Sequence, residues 1–143
     1  HSVMYDREGR VFTYRLAYDR RAYGETWLFG NLSLGVWGHI LKDDAPNYIR
    51  NGLERKLKEK VEIAGCTESP KLVGTLMAYD RLVDSVHFGL IYTLHCDNVR
   101  GISDSMKDGR LVSIEELRAS PLNREYEVWS RILISRLKDL AAI

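Results

Sequence analysis

A four-residue apolar repeat at Ile49, Leu53, Leu57 and Val61 does most to narrow what this chain can fold into. At about 100° per residue the repeat draws one slowly drifting stripe down a single amphipathic helix. The helix follows Asp43-Asp44-Ala45-Pro46. An acidic pair suits the positive end of the helix dipole, and proline loses nothing near a helix start. Gly65 is the expected stop. Strand-like sequence lies on both sides. Residues 11–18 alternate in polarity after the turn signal Asp6-Arg7-Glu8-Gly9, and glycines punctuate the short apolar runs 26–29 and 32–37. Residues 71–77 and 86–94 read as two more strands, the second apolar almost throughout and therefore central. Ser113-Ile114-Glu115-Glu116 is a capping-box pattern. A last helix is expected to open at Ser120-Pro121 and to carry Val128, Trp129, Ile132, Leu133 and Leu137 on one face. The order strands, helix, strands, helices predicts an α+β domain with a sheet covered by helices.

No repeat or low-complexity linker divides the 143 residues, so residues 1–143 read as one domain, with 1–3 ahead of Met4 set aside as foreign residues. The net charge of +1 comes from 21 basic and 20 acidic side chains, so the signs are mixed. That mixture argues against a nucleic-acid binder, which shows a basic patch or tail. No apolar run is long enough to span a bilayer and no signal peptide is visible, so a cytoplasmic location is expected. Cys66 and Cys96, with no metal-binding spacing, read as free thiols.

Two stretches carry something more specific than fold class. Gly30-Asn31-Leu32-Ser33-Leu34-Gly35-Val36-Trp37-Gly38-His39-Ile40 precedes a helix that contains residues 53–63. Together they resemble the Nudix hydrolase superfamily, and within it the branch of MutT-like predicted phosphoesterases. In that branch a Ser-Leu-Gly strand runs into a Gly-Gly-His turn. The resemblance implies a Nudix-type α/β/α sandwich, a mixed sheet flanked by helices, and extends to the Val86–Leu90 and Val128–Ser130 segments. The Nudix motif reads Gly-x5-Glu-x7-Arg-Glu-U-x-Glu-Glu-x-Gly-U, where U is bulky and aliphatic. With its arginine on Arg55, the aliphatic positions fall on Leu57 and Ile63.

The chemical positions depart from the motif. Its first glutamate falls on Asn47, the glutamate after the arginine on Lys56, and the closing pair on Glu59 and Lys60. Its last glycine falls on Glu62, its first on Leu41 (or on Gly38 with a longer loop), and Trp37 replaces a glycine of the turn. Three family glutamates at i, i+3 and i+4 share one helix face and converge on a divalent cation. Here those positions read Lys56, Glu59 and Lys60, so their summed charge moves from −3 to +1. Ammonium groups at a magnesium site oppose metal binding.

The resemblance thus assigns catalytic positions to Glu59 and Arg55, and Glu59 alone remains as a weak metal ligand. Gly38, His39, Lys56 and Lys60 are the candidate substrate-binding residues. Two readings of the lysines stay open: solvated helix charges, or cations that contact phosphate directly in place of a metal. Two functions stay open with them. One is a nucleotide- or diphosphate-binding or protein-interaction domain, as a homodimer or with a protein partner, that has lost metal-dependent hydrolysis. The alternative is a divergent pyrophosphohydrolase acting on a nucleoside diphosphate linked to another moiety. It would use Mg2+ or Mn2+ held by Glu59 and by recruited acids such as Glu54, Glu62, Asp43 or Asp44. Outside the box, His39 either bonds substrate or orients its loop. His87 and His95, about 26 Å apart on an extended strand, read as separate histidines. Glu125 or Glu127 could act as a base or as helix-start charge, and Trp27, Trp37, Tyr79 and Tyr92 could stack on a base or fill the core.

Overall fold

The computed structural model describes residues 1–17, 28–119 and 124–140. In chain order the strands are β1 (Ser2–Tyr5), β2 (Val11–Leu16), β3 (Leu32–Leu34), β4 (Val61–Ala64), β5 (Lys71–Leu76), β6 (Gly89–His95), β7 (Asn98–Gly101) and β8 (Met106–Val112). The helices are α1 (Tyr48–Lys60), α2 (Leu82–Ser85), α3 (Ile114–Ala119) and α4 (Val128–Leu140). Six strands make the main sheet in the order β3-β2-β1-β6-β5, with β8 also paired to β2; β4 and β7 make a separate two-stranded ribbon. The sheet is mixed. β1 runs parallel to β6, from Ser2↔Tyr92 to Tyr5↔His95, and every other pairing is antiparallel.

Because side chains alternate across a strand, each central strand feeds two cores. Val3, Val11 and Ile91 point to one face, where Leu117, Leu133, Ile134 and Leu137 of α3 and α4 cover them. Met4, Phe12 and Leu94 point to the other, where Leu57 of α1 and Val61 and Val99 of the ribbon close over them. This is the α/β/α sandwich expected from the sequence. None of its helices among the described residues is long and apolar enough to cross a membrane.

The turn at Asp6 forms as expected: its carboxylate accepts the Glu8 and Arg10 N–H groups, and Gly9 takes φ 71°. The Ser113 hydroxyl likewise accepts the Glu116 N–H at 3.1 Å to open α3, although the Glu116 side chain turns to Arg110. Residues 2–3 lie in β1, where Ser2 and Val3 are buried. Several expectations are corrected. Helix α1 ends at Lys60 rather than at Gly65, and Val61 starts β4 directly. Glu62 therefore lies on a strand, where it pairs with Arg100 of β7. Pro46 precedes the N-cap Asn47, and the 3-10 turn Lys42–Asp44 carries the acidic pair. Strand β6 begins at Gly89, so Val86, His87 and Phe88 form the loop before it. Tyr18, Thr26, Trp27 and the expected helix start at Ser120-Pro121 lie outside the described residues; the described last helix begins at Val128.

Candidate functional site: a cleft beside helix α1

The loop between β3 and α1 is fastened to α1 by one guanidinium. Arg55 donates from Nε to Asp44 Oδ1 at 2.7 Å and from Nη2 to Asp44 Oδ2 at 2.9 Å, a fork-on-carboxylate pair. The same Nη2 reaches the His39 carbonyl at 3.0 Å, and Nη1 reaches Glu59 Oε1 at 3.2 Å. Asp44 is buried at 4% exposure and also accepts the Leu41 N–H at 2.7 Å. The Arg55 guanidinium, helped by that amide, holds the Asp44 carboxyl down to about 2, and the Arg55 pKa rises in return. Gly52 explains itself here, although glycine inside a helix costs about 1 kcal/mol relative to alanine. A Cβ at Gly52 would stand 2.8 Å from Asp44 Oδ2. Nothing in the sequence pattern ties Asp44 to Arg55, and Asn47, the residue the motif register aligns with a glutamate, occupies the N-cap position without a side-chain cap bond.

Glu59 is held between two cations. Its Oε1 takes the Arg55 bond, its Oε2 accepts Lys56 Nζ at 2.7 Å, and Lys56 first and then Arg55 lower its pKa. Lys60 goes elsewhere, donating to Ser105 Oγ at 2.7 Å in the turn before β8. The box positions therefore divide: Lys56 and Glu59 are together, and Lys60 is apart from them. Of the other acids proposed for recruitment, Glu54 is on Arg50 and Glu62 on Arg100, while Asp44 shares Arg55 with Glu59. No three His, Cys, Asp or Glu side chains among the described residues come together to hold a metal ion. A hard divalent cation needs several oxygen ligands and negative charge, and two carboxylates already paired with a guanidinium and an ammonium do not fit one.

Beside this network lies a cleft of about 290 Å³. One wall is the β3–α1 loop and α1, which bring Trp37, Gly38, His39 and Lys56; the other is α2 with the loop that follows it, and the start of α4, which bring Asp84, His87, Glu127 and Trp129. Gly38 makes room for the lysine stem, since a Cβ there would stand 2.4 Å from Lys56 Cδ. His39 and His87 meet across the cleft with Nε2 atoms 3.2 Å apart and ring centroids 5.3 Å apart. His95 is elsewhere, on Thr67 and against Tyr5. The sequence placed His87 on a strand with His95; the late start of β6 is what frees it to face His39.

Glu127 and Asp84 are the residues that sequence reasoning undervalued. Glu127 caps α4: Oε2 accepts the Trp129 N–H at 2.8 Å, and Oε1 accepts the Ser130 N–H at 2.9 Å together with the Ser130 hydroxyl. Burial raises its pKa, those bonds oppose the rise, and the charge of Asp84 adds to it. The spacing of an acid just ahead of an apolar helical run was the available signal. Asp84 had none. Glu125 pairs with Arg15. Trp37 and Tyr92 line the cleft, whereas Tyr79 is exposed. Trp129 also lines it and lies over Gly89, where a Cβ would come within 2.2 Å of its ring.

Layered this way, with a long helix following the third strand and the cleft at its side, the fold is of the Nudix type. No family model matches the sequence, and no curated protein matches it either. Solved structures do match. Tm1382, provisionally assigned to the Nudix hydrolases, aligns over 98% of this chain and 69% of its own at 23% identity and TM-score 0.75. A MutT protein from Methanosarcina mazei Go1 aligns over 97% and 90% at 16% identity and TM-score 0.62. The Nudix domain of Shewanella oneidensis NrtR, solved with ADP ribose, aligns over 96% and 83% at 13% identity and TM-score 0.61.

Proposed function

We propose that this chain is a Nudix-fold domain that binds a nucleotide-linked diphosphate without a divalent cation and does not hydrolyse it. One observation carries the reading: the surviving box carboxylate, Glu59, is already neutralised by Arg55 and Lys56, and Lys56 lines the cleft. An ammonium has three donors, and Glu59 takes one. Among the described residues the other two meet no acceptor and can reach phosphate oxygens, and lysine is a common point-charge partner for phosphate. His39 and His87 add ring nitrogens to the same opening, and Trp37 and Trp129 supply aromatic surface for a base. NrtR, a neighbour in fold, binds ADP ribose, which has this ligand chemistry.

Titration calorimetry with ADP-ribose, run in excess EDTA and again in magnesium, tests the reading alongside a phosphate-release assay. The expected result is binding that EDTA leaves unchanged and no release of product. Lys56→Ala should weaken binding about tenfold, the loss of roughly 1.4 kcal/mol from one charge-assisted contact. Turnover that depends on magnesium or manganese would overturn the proposal and restore the pyrophosphohydrolase alternative.

A further inference from the structure

The wall of the cleft opposite Lys56 has the opposite sign. Asp84 is 5% exposed and Glu127 7% exposed, and both line the cleft. Neither carboxylate takes part in an ion pair among the described residues. Glu127 spends its oxygens on the first turn of α4. Asp84 does not: its Oδ2 is buried and makes no hydrogen bond. The backbone holds the residue in place, for its N–H donates to the Arg81 carbonyl at 3.0 Å and its carbonyl accepts the His87 N–H at 3.2 Å.

A buried carboxylate oxygen without a partner is costly, and a second carboxylate close enough to raise its neighbour's pKa makes it costlier. A cation in the cleft would lie against the Asp84 carboxylate and in the field of Glu127. Phe88 lines the same cleft, and aromatic faces attract ammonium groups.

We infer that Asp84 is the acceptor for a primary ammonium carried by the non-nucleotide end of the ligand, so that the cleft takes an amino-substituted ester of a nucleoside diphosphate. The inference rests on the diphosphate reading above and adds its second half: phosphate toward Lys56, ammonium toward Asp84.

A matched pair of probes separates the two claims. The 2-aminoethyl and propyl esters of ADP have the same length and differ in an ammonium against a methyl group. Calorimetry at pH 7 should show the aminoethyl ester binding the native protein at least tenfold more tightly. Asp84→Asn keeps the shape and removes the charge, and it should erase that preference. Equal binding of the two esters by the native protein would overturn the ammonium site and leave the diphosphate reading standing. Persistence of the preference in a folded Asp84→Asn variant would also overturn it. Failure of both esters to bind would overturn both claims, and because the ester comparison needs only the native chain, it decides even if the variant does not fold.

Discussion

Ser130 is 0% exposed and holds two elements together through one oxygen, so Ser130→Ala is an economical probe of the cleft's far wall. Its Oγ accepts the Leu34 N–H of β3 at 2.7 Å and donates to Glu127 Oε1. Alanine fits the space but does neither. Leaving a buried N–H without a partner costs about 1–3 kcal/mol, and losing a hydrogen bond to a charged group costs about 1.5–3 kcal/mol. Allowing for local relaxation, the expected loss is about 3 kcal/mol, or about 9 °C of Tm at this chain length. The loss also has a pH signature. Burial raises the folded-state pKa of Glu127 above its ordinary 4.5, and among the groups that hold it down Ser130's hydroxyl ranks first. A raised pKa gives stability that is fully present below 4.5 and lost as pH rises through the folded value. Removing Ser130 raises that value further, so the variant's deficit should be larger at pH 8 than at pH 5. Urea melts of both proteins at the two pH values measure it. A deficit under 1 kcal/mol, or one identical at both pH values, would refute the reasoning.

Three further outcomes are expected. Gly35→Ala should cost about 3 kcal/mol or more in chemical denaturation, because glycine there takes φ 69° and an added Cβ would meet the Ser2 carbonyl oxygen at 2.1 Å. Gly38→Ala should change stability by less than about 0.5 kcal/mol, since only the mobile Lys56 stem is in the way, while weakening ADP-ribose binding about tenfold as the ammonium is displaced; calorimetry and a thermal melt read the two effects separately. With a thiol reagent, one cysteine per native chain should react and two in denaturant: Cys66 is exposed, whereas Cys96 is buried and its thiol pKa is pushed up by that burial.

The sequence was most readable where physics is local. The period-four stripe of α1 and the alternation of β2 depend on neighbours along the chain, and both elements formed within a few residues of their expected places. Strand β8 was missed because it is not regular: Thr13 pairs with Arg110 and Arg15 with Lys107, leaving Asp108, at φ 52°, and Gly109 in a bulge that breaks the alternation. Gly65 misled because it ends strand β4, while Val61 closes the apolar stripe and opens that strand at once. Much the same division holds for the site. Lys56 and Glu59 are legible together because three residues on a helix fix their geometry. Asp84 and His87, from α2 and the loop after it, meet Glu127 from ahead of α4 only after the sheet has formed, so no spacing announces the group.

Arg55 gives the β3–α1 loop a permanent internal counter-ion. In a site assembled around a metal, the loop is gathered when the ion arrives; here the guanidinium has already drawn in Asp44 and the His39 carbonyl. The wall that presents Lys56 is therefore fastened by the chain's own bonds, and under the proposed binding function association would pay little for ordering backbone. The thermodynamic mark of such a site is a small heat-capacity change set by the surface the ligand itself covers, free of any contribution from coupled folding. The amide of Leu41, bonded to Asp44 within the chain's own fold, would exchange its hydrogen as slowly before binding as after it.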